Sequence, residues 1–295
     1  MAVIHYGTSV RDSERRARLY EGELFILPPT QEGIALCEHA RNMVEEAFHP
    51  LEPRAAQHEM PVESYAELLK ELKPAFIHHP ESKRLIQELL GAVGCELEET
   101  YFDVPRLRTS TSDGYLTTGI AFAFHEHRDT WYSAPSCQLN WWLPVYPIER
   151  DNCLSMFPDY FAQPVKNSSA CYDYRQWTQT SRFNAAQHIG KDTRKQPVPL
   201  ETVDHRGELR PLGEPGSVVL FSANQLHASV PNLSGVTRFS IDFRTVNGED
   251  AKLGRGAKLV DVQCTNSSMG DFLRGTDLER LPADVIDRFE SGEFR

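Results

Sequence analysis

Long hydrophobic runs are missing from this sequence. No stretch reaches the roughly 18 consecutive apolar residues that a transmembrane helix requires, so no membrane span is expected. The opening MAVIHYGTSVRDSERRARLY lacks the apolar core of a secretory leader, which makes a cytoplasmic protein the expectation. Cysteine is sparse and unpatterned: Cys37, Cys95, Cys137, Cys153, Cys171 and Cys264 form no C-x-x-C pair. That fits a reducing compartment, with each thiol a small buried hydrophobe by default. The N-x-[ST] sequons at Asn167, Asn232 and Asn266 read, without secretion, as chance matches. Basic residues are in deficit, 31 Lys and Arg against 42 Asp and Glu, for a net charge of −11. Nucleic acid and anionic membranes select basic surfaces, so neither is expected as a main partner. A local basic pocket for a small anion stays open.

The chain also shows no internal repeat, low-complexity tract or convincing linker. Its 295 residues suffice for a sizeable core, and the expectation is one domain spanning 1–295. GELFILPPT (22–30) reads as a strand closed by prolines. Ile34, Leu36, Cys37, Ala40, Met43, Val44 and Phe48 recur at helical period over 31–48. VESYAELLKELKPAF and ESKRLIQELLGAVG read as further helices, with Pro74 and Pro80 as breakers and 50–62 as loop. Residues 1–100 thus form a mostly helical flank.

From 101 to 247 the character changes. TYFDVPRLRTSTS, GYLTTGIAFAFH, CQLNWWLPVYP, CLSMFP, PLETVDH, GSVVLFS and RFSIDFRTV are short, β-branched or aromatic, and punctuated by turn residues. Such spacing suggests a sandwich, jelly roll or barrel. Residues 159–197 interrupt it with a polar insertion of the length used by lids and binding loops. Tyr172, Tyr174, Arg175 and Trp177 there are candidate substrate contacts. Residues 248–295 form an acidic extension, helical in part at ADVIDRFES.

The chemistry-bearing stretch is FHEHRDTWYSAPSCQLNWWLPVY (124–146). His127 and Asp129 stand two apart at an expected strand end, so both side chains can share a face. His227 ends a second apolar segment, GSVVLFSANQLHAS. Two imidazoles and one carboxylate on one face leave coordination positions open, the signature of a non-haem Fe(II) oxygenase. Arg238 follows in VTRFSIDFR, with Ser240 on the same strand face. A guanidinium there can clamp a dicarboxylate bidentately while the other end of that molecule chelates metal.

The pattern H127-R-D129, LNWWLPVYPIERDNCLSMFP, GSVVLFSANQLHAS and N232-L-S-G-V-T-R238-F-S240 resembles the Fe(II)/2-oxoglutarate-dependent oxygenases, most closely the phytanoyl-CoA dioxygenase-like branch. The resemblance covers roughly 115–245. Asn152-Cys153 departs from that branch's usual Asn-Gly, and Phe157-Pro158-Asp159-Tyr160 from its Pro-Gly-Ser-His. The resemblance implies a mainly β fold, a double-stranded β-helix (jelly roll, cupin-like) with flanking N-terminal helices. It implies Fe(II) on His127, Asp129 and His227, and 2-oxoglutarate anchored by Arg238 with Ser240 beside it and Asn140 as a polar contact. O2 would be the oxidant, and succinate and CO2 the by-products of hydroxylating a small molecule such as an amino acid or specialised metabolite. Desaturation, cyclisation and epimerisation use the same cofactors. Halogenation is disfavoured because the metal carboxylate, Asp129, is present. A non-catalytic sensor on the same fold is a second class, and a zinc hydrolase, which would leave Arg238 without a task, a third. A homodimer is compatible with the sequence.

Several residues have plainer readings. His125 alternates with His127 as in a cupin H-x-H site, but no glutamate follows at the right distance, so it reads as structural. His78-His79 reads as a solvated turn. Arg244, the rival of Arg238, reads as a surface or structural pair, and Arg106 and Arg108 as a solvated strand face. Of Trp141 and Trp142 one belongs to the core, with Trp142 on the side of Asn140. Trp131 and Tyr132 divide evenly between packing and substrate contact.

Overall fold

The computed structural model describes residues 3–293, apart from the side chains of 181–183. Strand β1 (Ile4–Tyr6) and helix α1 (Asp12–Tyr20) lead into β2 (Leu24–Leu27). Helix α2 (Gln31–Phe48) follows, its first turn capped by the Thr30 hydroxyl accepting from Gly33 N–H. Helices α3 (Val62–His78) and α4 (Pro80–Ala92) complete the flank. Pro80 breaks the chain as expected, opening α4 at a position where no N–H is needed. Pro74 does not: it is held inside α3.

The remaining strands are β3 (Thr100–Phe102), β4 (Arg106–Ser110), β5 (Leu139–Pro144), β6 (Leu154–Met156), β7 (Val218–Ser222), β8 (His227–Ser229), β9 (Arg238–Asn247) and β10 (Leu273–Arg274). They build a mainly β core with a large mixed sheet in the order β1-β2-β7-β5-β9-β3-β10, β4 also pairing with β9. A small second sheet pairs β6 with β8 and is extended by isolated bridges, His127 with His227 and Met156 with Leu209. This is the two-sheet architecture expected from the strand pattern. The expected partition of the chain is not kept, because the large sheet draws β1 and β2 from the helical flank and β10 from the C-terminal extension.

Two expected strands are absent. GYLTTGIAFAFH holds a single 3-10 turn (Gly119–Ala121), and the region of PLETVDH another (His205–Gly207). Around the first, Gly119 has φ +64, and a Cβ there would lie 2.3 Å from Ala185 O. The insertion packs onto this turn, and only glycine fits the approach. The insertion carries short turns of helix including α5 (Tyr174–Gln176); α6 (Gly248–Lys252) and α7 (Ala283–Glu290) belong to the extension.

Strand alternation then sorts the side chains. On β9, Phe239, Ile241 and Phe243 join the main core with Leu36, Val44, Leu69 and Phe76 of the helices. The helices therefore cover one face of the large sheet. On the other face Trp142, Val219 and Phe221 pack with Leu154 and Met156 of the small sheet. Arg238, Asp242 and Arg244 also lie on this inner face and line a cavity between the sheets.

Candidate metal centre and its cavity

Residue 127 is brought to residue 227 by the backbone. Each donates its N–H to the other's carbonyl at 2.9 Å. The rings end with centroids 4.3 Å apart. Asp129 opens a 3-10 turn (Asp129–Tyr132), so it reaches the same point by chain reversal rather than by strand alternation. Its Oδ1 lies 3.4 Å from His127 Nε2 and 3.8 Å from His227 Nε2. One ligand atom from each of the three falls within 4.8 Å of the others.

The donor set is also in the right protonation form. His127 Nδ1 lies 2.8 Å from His125 O, and His227 Nδ1 lies 2.9 Å from Gln225 O. A carbonyl only accepts, so each Nδ1 carries the proton and each Nε2 keeps its lone pair toward Asp129. Burial and the neighbouring His127 push the His227 imidazole down to about 4, against the opposing pull of Asp129. Burial would raise the Asp129 carboxyl; the contact with His127, the Arg244 guanidinium and the facing His227 override it and hold the group far below the usual carboxylate range. At neutral pH His227 is a neutral imidazole and Asp129 a carboxylate, and with His127 beside them the donor set suits a divalent transition metal. His125 serves through its backbone carbonyl, as its structural reading required, and the His79 side chain caps α4.

Asp129 has a second oxygen, and it is held separately. Gln138 Nε2 donates to Oδ2 at 3.2 Å and to Asn140 Oδ1 at 2.9 Å. Arg244 Nε stands 3.6 Å from Oδ2. Arg244 is itself fixed by Asp103, which accepts from its NH1 at 2.8 Å and its backbone N at 2.7 Å. Arg244 is thus a structural pair, as one half of its reading had it, but it faces the cavity and not the surface. Oδ2 is turned to Gln138 and Arg244 while Oδ1 faces the imidazoles, which favours one-oxygen ligation and keeps other positions open.

Arg238 lies at the far side of the cavity. NH1 donates to the carbonyls of Asn152 and Cys153 at 3.1 and 3.2 Å, and the guanidinium stands 5.6 Å over the Trp142 ring. Its Nε has no hydrogen-bond partner, and neither does the buried Ser240 hydroxyl two residues along the same face. Desolvation lowers the Arg238 guanidinium to about 10. A buried cation with an orphaned donor is costly unless an anion completes it. The unmatched Arg238 donor fits a carboxylate. Asn140 lines the same cavity; Ser240 is enclosed behind its wall.

The cavity holds about 400 Å³. Tyr172, Tyr174 and Trp177 of the insertion line it, as does Tyr132. Arg175 does not: it pairs with Glu290 on the exterior. Trp131 is fully buried elsewhere, its indole N–H on Asp261 at 2.8 Å. Both Trp141 and Trp142 reach the cavity, and Trp141 also stacks on Phe243. Arg106 and Arg108 are not a solvated face; they line the cavity, pairing with Asp103 at 2.6 Å and Asp242 at 2.5 Å. Gln138, Asp103, Asp242 and Lys73 were not singled out in the sequence. Asp242 carried a usable signal, since it shares parity with Arg238; the others carried none.

No protein-family model and no curated protein matches this chain. Among solved structures it is similar to EvdO2 from Micromonospora carbonacea var. aurantiaca, at 15% identity and TM-score 0.45 over 81% of this chain and 93% of that one. EctD from S. alaskensis gives 16% identity and TM-score 0.42 over 96% and 92%. The non-heme alpha-ketoglutarate-dependent epimerase SnoN from nogalamycin biosynthesis gives 12% identity and TM-score 0.39 over 80% and 84%. Likeness at this level assigns neither reaction nor substrate.

Proposed function

We propose that this chain is an Fe(II)- and 2-oxoglutarate-dependent oxygenase that hydroxylates a small molecule. In this reading His127, Asp129 and His227 hold the iron, and the sequence resemblance assigns the chain to the phytanoyl-CoA dioxygenase-like branch. The observation that carries it is the sharing of one cavity by two incomplete sites. One is a two-imidazole, one-carboxylate set with both Nε2 lone pairs presented. The other is a buried guanidinium with an unmatched donor. A zinc hydrolase would use the first and leave the second without a ligand. A dicarboxylate keto acid uses both.

When bound, the iron would supply the redox chemistry, coupling O2 and 2-oxoglutarate consumption to the change of one substrate C–H into C–OH, with succinate and CO2 released. The protein's part is positional. Arg238 binds the distal carboxylate, and Trp142 walls that pocket with apolar surface that strengthens the ion pair. Gln138 and Arg244 orient Asp129 so that one oxygen ligates. The residues of the insertion exclude bulk water from the remaining space. The test is anaerobic titration with Fe(II) and 2-oxoglutarate, followed by an O2 pulse in the presence of a metabolite panel. The expected result is one iron and one 2-oxoglutarate bound per chain and succinate formed in proportion to O2. Binding of iron without 2-oxoglutarate, or 2-oxoglutarate binding unchanged by Arg238→Gln, overturns the reading.

A further inference from the structure

The chain is acidic overall, at −11, but its cavity is not. Lys73, Arg106, Arg108, Arg194, Arg238 and Arg244 line it. The carboxylates among the lining residues are Asp103, Asp129, Asp242 and Asp271. Among the described residues, six cations against four anions leave +2, reduced to +1 when Asp192, paired with Arg194 at 2.5 Å just outside the lining, is counted. Under the function proposed above, a divalent metal and a doubly charged 2-oxoglutarate cancel each other. The surplus positive charge remains after both are bound.

That surplus can be located. Arg238 is reserved for 2-oxoglutarate, Arg244 and Arg106 share Asp103, and Arg108 is satisfied by Asp242. Among the described residues Lys73 has no acid of its own. Its ammonium donates to the carbonyl of Ile120. The nearby carboxylate, Asp242, is already committed to Arg108. Desolvation, with repulsion from Arg108 and against the pull of Asp242, brings the Lys73 amine down to about 7, so in the empty cavity it is charged only in part and a bound anion would complete its charge. A lysine on an enclosed wall, with only a neutral carbonyl as partner, is a cation waiting for an anion.

Its surroundings describe the rest of the ligand. The Arg108 guanidinium stands 5.6 Å over the Phe124 ring, which stacks on the imidazole of His127 at 5.0 Å. Phe122 meets Phe124 edge-on at 4.9 Å, and Tyr132 closes on both Phe124 and His127. An aromatic wall therefore runs from the candidate metal ligand toward the cationic end. We propose that this is the substrate subsite. Lys73 binds an anionic group, carboxylate or phosphate, of a substrate whose apolar or aromatic body lies along Phe122, Phe124 and Tyr132 toward His127. The inference rests on the oxygenase reading for its orientation, but the anion preference can be measured apart from it.

The probes are 3-phenylpropanoate and its uncharged twin 3-phenylpropanamide, with benzyl phosphate as the phosphate arm. They are titrated calorimetrically into the wild-type chain and Lys73→Met, with and without Fe(II) and 2-oxoglutarate, under anaerobic conditions. In the wild type one of the two anions should bind at least about tenfold tighter than the amide, the yield expected of one added charge-assisted contact. Which anion wins identifies the group. In Lys73→Met the preference should vanish while the 2-oxoglutarate affinity holds, and Lys73→Arg should restore it in part. If the wild type binds neither anion better than the amide, or binds none of the three, or if Lys73→Met keeps the preference, the subsite assignment is wrong. Loss of 2-oxoglutarate binding in the wild type would instead strike the oxygenase reading, and a surviving anion preference would tell the two failures apart.

Discussion

Replacing Arg238 by glutamine tests the co-substrate pocket most sharply. The guanidinium is pushed down from its ordinary value to about 10 because the cavity desolvates it. At 1.36 kcal/mol per pK unit, that environment disfavours the cation by roughly 3 kcal/mol. A carboxylate completing the free Nε removes much of this cost and adds its own attraction. Breaking a buried pair by deleting one partner costs about 3–5 kcal/mol, so both routes give a similar magnitude. Arg238→Gln should therefore weaken 2-oxoglutarate binding by about a hundredfold or more, with 1.4 kcal/mol per factor of ten. Arg238→Lys should fall between, since it keeps charge and loses the fork. Anaerobic calorimetry measures the affinity in the presence of Fe(II), and a parallel Fe(II) titration should show little change. The side chain also donates to Asn152 O and Cys153 O at the start of β6, so circular dichroism must first show the variant folded. Arg206→Gln is the matched control, because Arg206 is exposed and pairs with Asp204 alone. A folded Arg238→Gln that binds 2-oxoglutarate within threefold of wild type refutes the reasoning.

Other perturbations follow from the same geometry. Alanine at His127, Asp129 or His227 should each abolish stoichiometric Fe(II) binding with the circular dichroism spectrum retained; Asp129→Glu should weaken it, because tolerance at such sites is about half an ångström. Arg244→Gln releases Asp129 Oδ2 and should lower Fe(II) affinity about tenfold, more than it lowers 2-oxoglutarate affinity, a ratio read by paired titrations. In the metal-free protein the depressed His227 imidazole means that the unfolded chain binds the extra proton between pH 6.5 and about 4. Urea-unfolding free energy should thus be level above pH 6.5 and fall by up to about 3 kcal/mol as pH drops toward 4. His227→Gln should flatten that slope. Gly119→Ala sets a Cβ against Ala185 O at φ +64 and should loosen the insertion, seen as faster limited proteolysis within 159–197. Wild-type protein should in turn resist cleavage there once Fe(II) and 2-oxoglutarate are bound.

How far the sequence disclosed the fold depends on how each element is held. Helix α2 shows a clean period because one face packs on the sheet, and it runs over 31–48 as its pattern says. β5 and β7 stand out as apolar runs because they are buried on both faces. GYLTTGIAFAFH has the same aromatic and β-branched composition, but its aromatics line a cavity wall instead of pairing in a ladder, so propensity misled. Pro74 survives inside α3 because tertiary packing of Tyr65, Leu69, Leu72 and Phe76 outweighs one missing hydrogen bond. The pairing of β2 with β7 and of β10 with β3 joins segments roughly 170 to 195 residues apart, and no local pattern encodes that.

The site divides along the same line. Residue types two apart on β9, Arg238, Ser240, Asp242 and Arg244, already declare one polar face opposite Phe239, Ile241 and Phe243. That parity argues against a solvent-facing Arg244 once Arg238 is placed in a pocket, since six residues along a strand return to the same side, and the surface half of the Arg244 reading overlooked it. What parity cannot supply is the partner across the sheet. Asp103 decides that Arg244 is held as a strut behind Asp129 rather than freed to bind a ligand, and it reaches Arg244 only through the turn between β3 and β4, where the Arg244 carbonyl accepts from Asp103 N–H at 3.0 Å. Lys73 is the converse case. On its helix it is one of two lysines, and nothing in its spacing marks it. Its significance comes from the tally of its neighbours: every other cation on that wall has a carboxylate or is reserved for one, and Lys73 has a carbonyl. A recognition site of this kind is defined by an unfilled partnership, which exists only once the chain has folded around it.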